Sequence, residues 1–68
     1  MKDQQQVLDF TMAAGRTLLE NGAEVFRVQQ TMEIIARSYG AQKVSGYVLT
    51  NGIFFSIEDL DTKVVYVK

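Results

Sequence analysis

Apolar positions recur at helical spacing through the first forty residues and at strand spacing thereafter. From Asp3 or Gln4 to Asn21, Val7, Thr11, Ala14 and Leu18 fall on one side of a predicted helix. Phe10 flanks that side on one edge, and Leu8, Gly15 and Leu19 on the other. With Met12 the apolar arc spans more than half the circumference, wider than one packing surface needs. Either the helix is wedged between two layers, or part of the arc awaits a partner. Gly15 interrupts the arc; the reading preferred is close approach of a second helix, the other being a neutral small residue.

Asn21-Gly22 ends this helix, because glycine takes positive φ without steric cost and so serves as a C-terminal cap. A second helix is predicted from about Ala23 to Tyr39, stopping at Gly40. Its core stripe reads Val25, Val28, Met32, Ile35 and Tyr39, and Glu24 places an acid in the first turn. Phe26 lies on the polar side, either as a plain exposed aromatic or as a contact for another subunit or domain. Arg27 flanks the stripe, where it either covers apolar surface with its stem or offers its planar fork to a carboxylate.

From Lys43 the period becomes two. Val44–Leu49 and Ile53–Ile57 are β-rich runs joined through Thr50-Asn51-Gly52, and Asn-Gly in that setting predicts a tight hairpin. Ile53, Phe55 and Ile57 share the face turned to the helices, and Phe54 and Ser56 take the other. Thr62–Val67 reads as a third strand, whose valines would invite pairing at an unprotected edge. The predicted fold is α+β, a two-helix hairpin packed on a three-stranded antiparallel meander in the order ααβββ.

Sixty-eight residues allow one small domain, 1–68, and a core this size is marginal without staples or association. The chain contains neither Cys nor His, which excludes disulfides and thiol or imidazole catalysis. Seven basic against eight acidic residues, scattered along the chain, give no footprint for nucleic acid. Glu58, Asp59 and Asp61 gather in one predicted turn but match no calcium-loop spacing, so no metal is expected. No phosphate-binding glycine loop is present and no cofactor is expected. Thr50 beside Asn51-Gly52 is read as ordinary turn chemistry, or as a hairpin tip whose amides face an anion. The residues thus point away from an enzyme.

The run Gly15-Arg16-Thr17-Leu18-Leu19-Glu20-Asn21-Gly22-Ala23-Glu24-Val25-Phe26-Arg27-Val28 resembles the N-terminal domain of the bacterial threonine/serine exporter family. That family includes two-component relatives linked to dicarboxylate export. Thr31-Met32, Ile35-Ala36, Tyr39-Gly40 and Thr50-Asn51-Gly52-Ile53 extend the resemblance from about Val7 to Val67. Gly22-Ala23-Glu24 followed by Arg27-Val28 is its most specific part. The family commonly has an acid directly after Arg-Val, where this chain has Gln29, and a Pro near the hairpin, which this chain lacks.

The resemblance implies a non-catalytic domain on the cytoplasmic side of the cell membrane, at the start of a longer exporter. The fragment itself would be soluble. Its partners would be the transmembrane part of the same protein or a partner membrane subunit, and a homo-oligomer is expected. Its role would lie in assembly, regulation or substrate access. The alternative is a free-standing oligomerisation module with no transport role. The residues singled out are Gly22, Glu24, Arg27, Thr50, Asn51 and Gly52 as signature or functional positions, and Phe26 as a contact.

Overall fold

The computed structural model describes residues 4–57 and 62–67; the acidic turn at Glu58, Asp59 and Asp61 lies outside them. Helix α1 runs from Gln4 to Glu20 and α2 from Val25 to Ser38. Strands β1 (Val44–Leu49), β2 (Gly52–Ile57) and β3 (Thr62–Val67) follow. The chain is therefore α+β, with two helices and an antiparallel sheet. In that sheet β2 pairs antiparallel with β1 on one side and with β3 on the other.

Both helices end in the same way. At the end of α1, Gly22 N–H donates to the Leu19 carbonyl (3.1 Å) and Ala23 N–H reaches back to the Leu18 carbonyl (3.0 Å). At the end of α2, Gly40 N–H donates to Arg37 (3.0 Å) and Ala41 N–H to Ala36 (3.1 Å). These are paired Schellman bonds, which satisfy carbonyls that a helix end otherwise leaves orphaned. Each requires a left-handed residue, and Gly22 (φ 85°) and Gly40 (φ 103°) supply it. Ala23 and Ala41, the residues just beyond, pack against the core and close each turn.

The core lies between the helical pair and one face of the sheet. Leu8, Met12 and Leu19 of α1, Val28, Met32 and Ala36 of α2, and Val48, Ile53, Phe55 and Ile57 of the sheet are buried together. The helices divide the sheet, with α2 over β1 and α1 over β2. As predicted, Ile53, Phe55 and Ile57 face inward while Phe54 is exposed. Two glycines make close approach possible. A Cβ on Gly15 would collide with the Met32 side chain, reaching Cγ at 2.9 Å and Cε at 3.0 Å. One on Gly46 would come within 2.6 Å of Phe55 Cδ1, and Phe55 is the residue paired with Gly46 across the strands. Gly15 is thus a point of close approach by α2, as preferred from the sequence.

Three expectations need correction. Tyr39 is not core: it sits at the C-cap of α2 with an exposed ring, and the buried stripe passes through Ala36 instead. The apolar arc of α1 is centred on Leu8, Gly15 and Leu19, not on Ala14 and Leu18, which leaves Phe10 exposed. The hairpin loop is Thr50-Asn51, because Gly52 is already paired with Leu49 in the ladder.

Candidate functional site

The residues marked by the sequence occupy one end of the domain. A short connection, residues 39–43, turns the chain from α2 into β1, so β1 runs back alongside α2. The 14-residue helix and the six-residue strand are of nearly equal length, about 21 Å against about 20 Å. The hairpin tip therefore returns to the level where α2 begins. This places Thr50 and Asn51 at the same end of the molecule as Gly22, Glu24, Phe26 and Arg27. All six are exposed, and Gly52 is buried in the ladder between them and the core.

Glu24 is the N-cap of α2, one position before the first turn where the sequence placed it. Its backbone is extended (φ −64°, ψ 136°) and its carbonyl accepts the first helical bond, from Val28 N–H at 3.0 Å. Its carboxylate caps nothing. Arg27 follows one turn later on the exposed surface. Among the described residues neither side chain makes an ion pair or a hydrogen bond. The corner is held by other means: the Schellman bonds, the burial around Ala23 and Val25, and Asn21 Nδ2 donating to the Thr17 carbonyl at 2.7 Å. Among the described residues, Glu24 and Arg27 thus add no side-chain hydrogen bond or ion pair to the corner.

Phe26 is 69% exposed, and Ile34 on the same helix is exposed as well. At the opposite end of the helical pair, Phe10 and Tyr39 meet edge to face, with centroids 6.0 Å apart and planes at 88°. With Gln6 and Val7 they line an open groove of ≈ 240 Å³. Sequence reasoning missed this groove because it placed Tyr39 in the core and Phe10 at the edge of the packed arc. No group of metal-ligating side chains exists among the described residues. No helix among them is long and apolar enough to cross a membrane.

The architecture defines a small α+β domain whose marked polar residues form an exposed rim. The chain belongs to the family described as "Putative threonine/serine exporter", whose model matches residues 9–68. No curated protein and no solved structure matches it significantly.

Proposed function

We propose that this chain is a non-catalytic cytoplasmic domain of a threonine/serine exporter-like membrane protein, folded as a helical hairpin on a three-stranded meander. Its rim of Glu24, Arg27, Thr50 and Asn51 serves substrate access to the transport path. The family match over residues 9–68 carries the reading. The chemistry of the rim supports it. A threonine or serine zwitterion carries one carboxylate and one ammonium group. The Arg27 fork suits the carboxylate and the Glu24 carboxylate suits the ammonium. Thr50 and Asn51 at the same end supply hydrogen-bonding groups for a substrate hydroxyl.

Sidedness and role are tested separately. The chain has no native cysteine, so Ser45→Cys gives a unique label within this domain. In intact cells expressing the exporter, a membrane-impermeant maleimide should leave that site unmodified and should label it after permeabilisation. Labelling of intact cells overturns the cytoplasmic assignment. Threonine efflux from the same cells should fall with Arg27→Ala at unchanged protein level; full efflux removes the access role.

A further inference from the structure

The helices cover one face of the sheet and leave the other open. On that open face Tyr47 is 74% exposed, Leu49 51%, Phe54 43% and Val67 69%. The register gathers them. Tyr47 stands opposite Phe54, and Leu49 and Val67 flank Gly52 from either side. Gly52 adds no side chain there, so Leu49 and Val67 border a shallow saddle beside the Tyr47–Phe54 pair. Toward the other end stand Ser45 and Ser56, and the register puts Lys63 opposite Ser56 at that margin. The centre of the face, at Tyr47 and Phe54, carries no charge.

We propose that this face is a homodimer interface, joining two copies sheet to sheet about a two-fold axis. The composition of its centre and its area point to a second copy. Interface cores are depleted of charge and enriched in Tyr and Phe, as the centre of this face is. At about 200 Å² for a fully exposed ring, Tyr47 and Phe54 alone offer roughly 230 Å², and Leu49 and Val67 raise this to roughly 400 Å². Two copies would bury roughly 800 Å² of apolar surface, and the hydroxyl-bearing rim brings the total to about the 1,000 Å² that a specific interface needs. An isologous pairing uses the same patch twice, so no second surface is required. At this size the dimer is weak, with Kd on the order of 100 μM. The proposal concerns the chain alone and does not depend on the exporter reading.

Sedimentation equilibrium of the 68-residue chain between about 10 μM and about 1 mM tests it. A reversible monomer–dimer equilibrium is expected, with Kd raised at least about tenfold in Tyr47→Lys and in Phe54→Ser, and unchanged in Phe26→Ser. Helical circular dichroism reports whether each variant folds. If the sheet variants unfold, dilution of the unsubstituted chain followed by amide NMR decides: Tyr47, Leu49, Phe54 and Val67 should shift with concentration while Phe26 and Ile34 stay. A monomer at the highest concentration overturns the proposal, as does a dimer sensitive to Phe26→Ser or one whose shifts lie on α1 and α2. Binding of phosphatidylcholine vesicles by a monomeric chain, lost in Tyr47→Lys, would assign the face to membrane instead.

Discussion

Thr11 is fully buried in the middle of α1, and its Oγ1 has no hydrogen-bond partner among the described residues. A desolvated hydroxyl left unpaired costs about 1–3 kcal/mol, whereas valine fills the same volume with the same β-branched constraint. Thr11→Val should therefore stabilise the domain by about 1 kcal/mol, which at this size is roughly 4–8 °C in Tm. A lower melting temperature would mean that the hydroxyl has a partner after all. Gly15 presents the opposite case. Alanine there gains about 1 kcal/mol of helix propensity but overpacks against Met32, at a cost of about 1–3 kcal/mol. Gly15→Ala should lose about 1 kcal/mol net in urea unfolding. In a Met32→Val background, which shortens the obstructing side chain, the same change should turn stabilising. Unchanged sign in that cycle would show that Met32 is not the obstacle.

Turning one helix into the next is a matter of backbone, and Gly22 carries it. Its φ is 85°, and among the described residues no atom beyond its chain neighbours lies within 4 Å of the point a Cβ would occupy. A substitution there meets no neighbour and costs only the strain of the left-handed conformation. Gly22→Ala should destabilise by about 1–2 kcal/mol, and Gly22→Asn by less, because asparagine tolerates that region. Equal losses for both, by thermal melting, would point to packing and not to backbone. The turn was legible because Asn-Gly after an apolar period has few other readings. So were the strands, where alternation alone put Ile53, Phe55 and Ile57 inside. What stayed illegible was the rotation of each helix about its axis. An arc covering more than half of α1 can be centred anywhere within it, and only the approach of α2 at Gly15 selects Leu8 and Leu19 over Ala14 and Leu18. On α2 the buried stripe ends at Ala36 because Tyr39 stands at the C-cap, where the helix has already ended. At the hairpin, the sequence pointed to Asn51-Gly52 within Thr50-Asn51-Gly52, and pairing of Gly52 with Leu49 leaves Thr50-Asn51 as the loop. The signature residues could be named from the sequence, but their meeting at one end depends on β1 and α2 having matched lengths, which emerges only from the fold.

Across the whole molecule, stability and the exposed rim are served by different residues. The core is formed by α1, α2 and one face of the sheet; Glu24 and Arg27 stand outside it with no partner among the described residues. Exposed side chains without contacts usually change stability by no more than about 0.5 kcal/mol when truncated. Glu24→Ala and Arg27→Ala should thus leave the thermal melt of the isolated chain almost where it was. Loss of efflux in an exporter carrying either change could then be attributed to a lost recognition surface, and not to unfolding. Arg27→Lys refines the test, because lysine keeps the positive charge but loses the planar fork. If Arg27 binds the substrate carboxylate in a bidentate manner, Arg27→Lys should raise the apparent KM for threonine efflux several-fold while maximal efflux holds. If instead the arginine only contributes charge to a docking surface, lysine should restore full efflux. A melt shifted by more than about 1 kcal/mol in Arg27→Ala would return the residue to the structural role that its surroundings do not support.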